Sequence, residues 1–209
     1  MKEVYVFDLD GTLVDSMPNY SKAILSILDE AEIPYADDLI KTLTVLGNTK
    51  SAELYVKMGV QDTVGNIVSR IEQKLIYEYE NTIFTKVGVK EYLQKLREEE
   101  ARLFVLTASP HITTDACLRH NGIFDWFETV WSVEDFQLTK SDTRLFEVVA
   151  KRIGCQPNEI HYFDDNLIAL QNAKTAGYET YGVYDMQSAD EVDIMKQNYH
   201  FVGSFADLV

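Results

Sequence analysis

The sequence predicts an α/β fold, in which a doubly wound, Rossmann-like parallel sheet forms the core and an α-helical cap is inserted into it. Short apolar runs rich in β-branched and aromatic residues alternate with segments of helical periodicity. A long stretch of helical patterns alone separates the first apolar run from the second. Several of the runs end in polar residues, as strands do at the ligand-binding edge of an open α/β sheet. Strands that alternate with helices form βαβ units, so we expect the strands to be parallel.

The strands and helices of the core follow one another along the chain. We expect strands at residues 4–7, 103–106, 129–131, 160–163 and 179–183, with an edge strand at residues 199–202. Apolar residues at helical spacing that begin near Val89, Thr113, Leu145 and Leu167 predict the helices between these strands.

The inserted stretch is helical in pattern throughout. Its apolar residues keep helical spacing from Tyr20 to Tyr79, with breaks at Gly47 and Gly59. Ser16 is a suitable N-cap for the first of these helices. We assign residues 1–15 and 84–209 to the α/β core and residues 16–83 to the helical cap.

Charge and cysteine content limit the class of partner. The 209 residues carry a formal net charge of −15, which argues against nucleic acid and anionic membranes as partners. Two cysteines, Cys117 and Cys155, do not make a disulfide framework, which favours a reducing compartment. Asp8 and Asp10 interrupt the N-terminal apolar run too early for a signal peptide, and no window is apolar enough to span a membrane. We therefore expect a cytoplasmic protein, monomeric by default.

Polar side chains follow several of the predicted strands. Asp8 and Asp10 follow the first, Thr107 and Ser109 the second, Asp164 and Asp165 the fourth, and Lys140 comes between the third strand and the next helix. Because the carboxyl ends of parallel strands share one edge of the sheet, these side chains should lie close together. Unit like charges about 4 Å apart repel by roughly 4 kcal/mol at an effective dielectric constant of about 20. Such a cluster predicts a bound divalent cation, and all-oxygen ligands favour Mg²⁺ over Zn²⁺.

These residues form four motifs in a known order, and the chain resembles the haloacid dehalogenase-like phosphohydrolases. The branch it resembles, that of phosphoglycolate phosphatase and β-phosphoglucomutase, has a small helical cap inserted after the first motif. The matching residues are Asp8-Leu9-Asp10-Gly11-Thr12 for the first motif, Thr107 for the second, Lys140 for the third and Phe163-Asp164-Asp165-Asn166 for the fourth. The resemblance covers nearly the whole chain.

The resemblance implies a Mg²⁺-dependent phosphatase that hydrolyses a small phosphorylated metabolite through an aspartyl-phosphate. Asp8 would be the nucleophile and Asp10 the general acid and base. The phosphate would be bound by Thr107, by the backbone N–H of Ala108 and by Lys140. The metal would be held by the Asp8 carboxylate, the Asp10 backbone carbonyl and Asp165.

Three departures from the family pattern leave alternatives open. Ala108 stands where Asn is common, so only a backbone contact carries over, and Lys140 is followed by Ser141 instead of the common Pro. Ala169 stands where many members have a further aspartate, and Asp164 is a candidate substitute. Lys50 is a candidate substrate contact from the cap. A β-phosphoglucomutase-like phosphomutase and a binding module without activity are the alternative functions, and the sequence does not name the substrate.

Overall fold

The chain folds into two compact units. The computed structural model describes residues 2–209, apart from the side chains of residues 41, 44 and 45. The first unit comprises the chain up to Ser16 together with Phe84–Val209, and the second is Met17–Ile83. The two divisions lie between residues 16 and 17 and between residues 83 and 84. The first division is one residue later than the sequence-based boundary, and the second coincides with it.

The first unit contains a six-stranded parallel sheet. Its strands are β1 (Val4–Phe7), β2 (Arg102–Thr107), β3 (Thr129–Ser132), β4 (Ile160–Asp164), β5 (Glu179–Val183) and β6 (His200–Val202). Their order in the sheet is β3-β2-β1-β4-β5-β6, and every neighbouring pair is parallel. The doubly wound, Rossmann-like α/β class predicted from the sequence is thereby confirmed.

Helices connect the strands and make up the second unit. In chain order they are α1 (Met17–Glu30), α2 (Leu39–Met58), α3 (Val64–Asn81), α4 (Val89–Glu98), α5 (His111–His120), α6 (Thr143–Ile153), α7 (Leu167–Thr175) and α8 (Val192–Asn198). Helices α1, α2 and α3 belong to Met17–Ile83, and the other five to the unit that holds the sheet. No helix of the described residues carries an apolar stretch long enough to cross a membrane.

The central strand β1 is buried on both faces. Val4 and Val6 pack in the apolar cluster that also contains Phe146 of α6 and Leu170 of α7. The alternate residues lie in an aromatic layer, in which the rings of Phe7 and Phe163 are 4.9 Å apart. Side chains of a strand point alternately to the two faces of its sheet, so both faces of β1 need apolar residues. This explains why residues 4–7 form an unbroken apolar run, and it leaves Asp8 as the first polar residue after the strand.

The second unit has a core of its own. Ile24, Ile27, Ile67 and Ile71, from α1 and α3, are almost completely buried in it. The hydroxyl of Tyr55 donates a hydrogen bond of 2.9 Å to the Ile24 carbonyl, which ties α2 to α1. A separate buried cluster is what allows a stretch of this size to fold as a compact unit.

One predicted helix break is present in the structure and one predicted helix cap is not. At Gly47 the backbone is non-helical, with φ 73° and ψ 169°, so α2 consists of two helical pieces that meet at a kink there, as the break at Gly47 predicted. Glycine tolerates this positive φ, so the chain bends there and resumes the helix. The Ser16 N-cap prediction is wrong, because its side chain is 1% exposed and its Oγ has no hydrogen-bond partner.

Candidate active site

The ends of β1 and β4 bring three carboxylates together. Phe7 is paired with Phe163 in the sheet, and the Asp8 N–H donates to the Phe163 carbonyl at 2.9 Å. One oxygen each from Asp8, Asp164 and Asp165 lie within 4.8 Å of one another. The predicted convergence of the first and fourth motifs is therefore present in the structure.

The loop after Asp8 is a tight turn that packs on Asp165. The N–H groups of Leu13 and Val14 both donate to the Leu9 carbonyl, at 2.9 and 3.0 Å. Gly11 has φ +78°, and a Cβ atom there would lie 2.5 Å from Asp165 Oδ2. Only glycine fits at a positive φ with so close a neighbour, so this residue keeps the loop backbone against the carboxylate.

Lys140 neutralises part of the carboxylate cluster. Its ammonium group contacts Asp8 Oδ1 and lies 2.8 Å from Asp164 Oδ2. Asp164 also accepts hydrogen bonds from the Tyr162 hydroxyl and, at 2.8 Å, from the Asn166 N–H. Asp165 instead accepts a long hydrogen bond of 3.4 Å from the Thr12 hydroxyl. The two adjacent aspartates therefore differ in hydrogen bonding: both carboxylate oxygens of Asp164 accept short hydrogen bonds, whereas Asp165 accepts one long hydrogen bond.

The three carboxylates of the cluster are only partly neutralised by the ammonium group of Lys140. Desolvation raises the pKa of Asp8 to about 7, with Asp164 and Asp10 adding to the rise against the opposing effect of Lys140. Desolvation and the charges of Asp164 and Asp8 raise the pKa of Asp165 to about 8. Burial alone would lower the pKa of Lys140, but Asp164 and Asp8 raise it above its usual value. Without another cation, Asp8 and Asp165 therefore hold their protons to a higher pH than exposed aspartates do.

The donor set fits a magnesium ion. Carboxylate oxygens are the ligands that Mg²⁺ prefers, and such an ion would replace the protons that Asp8 and Asp165 otherwise retain. Asp165 and Asp8 are the better carboxylate ligands, because Asp164 is already hydrogen-bonded on both oxygens.

The second motif follows β2, next to β1 in the sheet. Thr107 is buried at the end of the strand, and its Oγ1 accepts a hydrogen bond of 3.0 Å from the Ser109 N–H. Ala108, between them, is exposed. The Ser109 hydroxyl donates to Asp10 Oδ2 at 2.6 Å. Asp10 is thereby linked to the second motif, whereas Asp8 is linked to the third and fourth.

Sequence reasoning missed several residues of this site. Tyr162 lies on β4 and its hydroxyl contacts Asp164, but a tyrosine within a buried strand gives no functional signal. Asp185, whose charge adds to the raised pKa of Asp165, follows the end of β5, so the same strand-end reasoning could have found it. Lys86 lies in an irregular segment without a motif, and only the structure shows that its ammonium group contacts the Gly11 carbonyl and Asp185.

Lys50, the substrate contact predicted from the sequence, lies on α2 in the separate helical unit and is exposed.

The fold and the acidic site define the class of protein: a doubly wound α/β protein with its site at the carboxyl edge of the sheet. A family model described as haloacid dehalogenase-like hydrolase matches residues 5–183. The chain therefore belongs to the haloacid dehalogenase-like hydrolase family, as the four motifs indicated.

Curated relatives and solved structures agree with this assignment. The chain is 23% identical over 183 residues to the phosphorylated carbohydrates phosphatase of Thermotoga maritima, covering 87% of this chain and 85% of that protein. It is 28% identical to the phosphoglycolate phosphatase of Rhodobacter capsulatus, covering 85% and 82%. A structure provisionally assigned as a β-phosphoglucomutase from Thermotoga maritima matches with a TM-score of 0.83 at 22% identity, over 99% and 96% of the two chains. The magnesium-bound hydrolase YfnB of Bacillus subtilis matches with a TM-score of 0.81 at 17% identity, over 100% and 97%.

We predict that the metal-free protein loses stability as the pH rises from about 5 to 8. Asp8 and Asp165 have raised pKa values in the folded state, so the folded state binds more protons than the unfolded state in this range. Each unit of such a pKa difference is worth about 1.4 kcal/mol, and about 1 kcal/mol shifts Tm by roughly 2–4 °C in a chain of this size. Thermal unfolding in chelator across the range measures the effect.

The control for this prediction is Asp165→Asn, whose Tm should fall less than that of the wild type as the pH rises. Asp135 and Asp115 raise the pKa of His111 against the opposing effect of its burial, so His111 also lowers stability as the pH rises. The difference between wild type and Asp165→Asn is therefore the quantity to compare. Saturating Mg²⁺ should raise Tm more at about pH 8 than at about pH 6. A metal-free Tm that is constant or rises over this range would contradict the prediction.

Proposed function

We propose that this protein is a Mg²⁺-dependent phosphatase that hydrolyses a small phosphorylated metabolite through an aspartyl-phosphate. The observation that carries the proposal is the buried contact of Lys140 with both Asp8 and Asp164 at the ends of β1 and β4. A carboxylate held beside an ammonium group, with a second carboxylate at hand for a cation, suits attack on a phosphate dianion. Membership of the hydrolase family supports the same chemistry.

In this proposal Asp8 attacks phosphorus and the leaving alcohol departs. Oδ of Asp8 forms the new P–O bond while the bond to the leaving oxygen breaks, and water later cleaves the aspartyl-phosphate to return Asp8. Lys140 offsets charge on the phosphate oxygens, and Thr107 and the Ala108 N–H bind them. Thr107 and Ala108 suit this task because β2 lies beside β1, with Val105 paired to Phe7.

Asp10 is proposed as the general acid and base. It would protonate the leaving oxygen and then take a proton from the attacking water. The Ser109 hydroxyl, 2.6 Å from Asp10 Oδ2, restrains this side chain near the second motif. The charge of Asp10 adds to the raised pKa of Asp8, so the proposed acid and base lies close to the proposed nucleophile.

Magnesium would be held by the Asp8 carboxylate, the Asp10 backbone carbonyl and Asp165. When bound, it supplies positive charge that reduces the repulsion between Asp8 and the phosphate. Asp164 is then a positioning residue: it holds Lys140 and is held by Tyr162 and the Asn166 N–H. We prefer this positioning role over a role of Asp164 as substitute for an acid at position 169, because both of its oxygens already accept hydrogen bonds.

The substrate is proposed to be a sugar phosphate or phosphoglycolate in the cytoplasm. The relatives described above are named for phosphorylated carbohydrates and phosphoglycolate, which supports this class. Substrate selection by the helical unit Met17–Ile83 acting as a cap, with Lys50 as a contact, stays a prediction from the sequence. A monomeric state stays one as well.

Phosphate release from a panel of metabolites tests the proposal. Sugar phosphates, phosphoglycolate, nucleoside monophosphates and an aryl phosphate are incubated with the protein, with Mg²⁺ or with chelator. We expect Mg²⁺-dependent release of inorganic phosphate from the aryl phosphate and from at least one sugar phosphate or phosphoglycolate. If nothing in the panel is hydrolysed while the protein is folded and binds Mg²⁺, the proposal is wrong.

The phosphomutase alternative is separated by the fate of the phosphoryl group. A phosphomutase returns it to a sugar, so the phosphoenzyme would persist until a sugar phosphate is added. A phosphatase loses it to water without an acceptor. Rapid spontaneous loss of the phosphoryl group from the enzyme therefore favours the phosphatase.

A further inference from the structure

A second buried ion pair contacts the loop that carries Asp10 and Gly11. The Lys86 ammonium lies 2.8 Å from Asp185 Oδ2, and the two side chains are 18% and 5% exposed. The same ammonium donates to the Gly11 carbonyl and, at 2.8 Å, to the Tyr184 carbonyl. One side chain thus links three stretches of chain: the first-motif loop, the segment before α4 and the segment after β5.

Both members of the pair are fixed by their own backbone surroundings. The Lys86 N–H donates to the Leu13 carbonyl at 2.9 Å, so the lysine is attached to the first-motif loop at two points. Close by in sequence, Gly88 has φ +84°, and a Cβ atom there would lie 2.1 Å from the Ala206 nitrogen. Asp185 Oδ1 accepts from the Gln187 N–H at 2.9 Å. The pair is therefore a preformed element of the fold and not a mobile surface contact.

The pair lies beside the residues proposed to hold the metal. Lys86 holds the carbonyl of Gly11, whose Cα is packed directly on the Asp165 carboxylate. The peptide that joins Asp10 to Gly11 carries the Asp10 carbonyl, the proposed backbone ligand. The Gly11 carbonyl belongs to the next peptide, so fixing it restrains the backbone that carries the Asp10 carbonyl against Asp165.

We infer that Lys86, paired with Asp185, is a positioning residue that fixes the Asp10–Gly11 backbone against Asp165 and so prepares the metal site. This inference rests on the proposed function for the identity of the cation. In this inference Lys86 acts through the Gly11 carbonyl and has no direct part in the reaction. Residues beyond a metal's direct ligands typically change metal affinity about 10- to 100-fold when they are removed.

Lys86→Met tests the inference, with Lys90→Met on the exposed surface of α4 as control. In the metal-free protein, we expect faster hydrogen exchange at the Gly11, Leu13 and Val14 amides, which are hydrogen-bonded within the loop. Calorimetric titration should show Mg²⁺ binding weakened at least about 10-fold. The fold-decrease in kcat at saturating Mg²⁺ should be much smaller than the fold-decrease in Mg²⁺ affinity. Unchanged loop exchange and unchanged affinity would overturn the inference.

The double variant Lys86→Met/Asp185→Asn separates positioning from stability. Lys86→Met alone leaves the Asp185 carboxylate buried without its cation, which destabilises the protein. Asp185→Asn removes that charge, so the double variant should regain Tm while its Mg²⁺ affinity stays weak. If affinity returns to the wild-type value together with Tm, Lys86 has a merely structural role and the inference is wrong.

A failure of the proposed function would be visible separately. A folded wild-type protein that neither binds Mg²⁺ nor releases phosphate contradicts the proposed function. Hydrogen exchange at Gly11, Leu13 and Val14 is measured without metal and without turnover. It therefore still tests whether Lys86 positions the loop, even if the proposed function is wrong. Faster exchange in Lys86→Met than in Lys90→Met supports the positioning role, and equal exchange overturns it.

Discussion

Replacing Asp8 by Asn should abolish turnover while leaving the protein folded. Asn is nearly isosteric with Asp but lacks the nucleophilic carboxylate, so no aspartyl-phosphate can form. Removing a residue of this kind costs about 10⁴-fold or more in kcat. Because burial raises the pKa of Asp8 to about 7, Asn also removes an unfavourable buried charge. Metal-free Asp8→Asn should therefore have a Tm equal to or above that of the wild type at about pH 8.

The control for Asp8→Asn is Asp15→Asn, an exposed carboxylate in the same segment. Surface substitutions usually change stability by about 0.5 kcal/mol or less, and we expect the turnover of Asp15→Asn to match the wild type within about twofold. An Asp8→Asn protein that keeps most of the wild-type turnover would exclude Asp8 as the nucleophile. Loss of turnover in this folded variant, with activity in Asp15→Asn, would exclude the alternative of a binding module without catalysis.

Replacing Lys140 by Met should impair both catalysis and stability. Lys140 neutralises Asp8 and Asp164 in a buried site, and its side chain is 12% exposed. Removing one partner of a buried ion pair costs roughly 3–5 kcal/mol when the remaining charge cannot be relieved. Loss of a preorganised cation at the phosphate should lower kcat about 10²- to 10³-fold.

The stability loss of Lys140→Met should depend on pH in a defined direction. Without the ammonium, the pKa of Asp8 rises further, so the folded state retains its proton to a higher pH. The loss should be smaller at about pH 5, where Asp8 is protonated and only Asp164 is left as a buried charge without its cation, than at about pH 8. Lys151→Met, on the exposed side of α6, is the control. A pH-independent Tm difference, or none, would mean that Lys140 does not act through the buried carboxylates.

The centre of the sheet follows from the sequence because its strands are mostly buried. Residues 4–7 of β1 are all buried and form an unbroken apolar run, and the first five residues after Arg102 in β2 are buried too. Helix α8 gave no such signal, since Met195 is its buried residue and seven residues hold barely two turns. The error at Ser16 has a related cause. A serine before a helix is a good N-cap by composition, but tertiary packing buries this side chain without a partner.

The residues that form the site could be predicted from the sequence, but the separate roles of Asp164 and Asp165 could not. Strand ends place Asp8 and Asp165 near each other in any parallel sheet of this order, and Lys140 matched a motif. The family resemblance assigned the metal to Asp165 and left Asp164 as a candidate substitute, but strand-end position alone does not separate these two adjacent aspartates. The difference lies in Lys140, in Tyr162 and in a backbone N–H, all of which contact Asp164. Contacts between residues far apart in sequence, such as Lys86 with Asp185, need the folded chain.

Trapping of the phosphoenzyme tests the central claim most directly. Wild-type protein is acid-quenched during turnover of an aryl phosphate with Mg²⁺ and treated with borohydride, which reduces an acyl phosphate to an alcohol. Peptide mass spectrometry then locates the modified residue. The account predicts homoserine at position 8, absent from Asp8→Asn and from the chelator control and present in Asp15→Asn. Modification at another aspartate, or turnover without any trapped residue in the presence of efficient reduction, would contradict it.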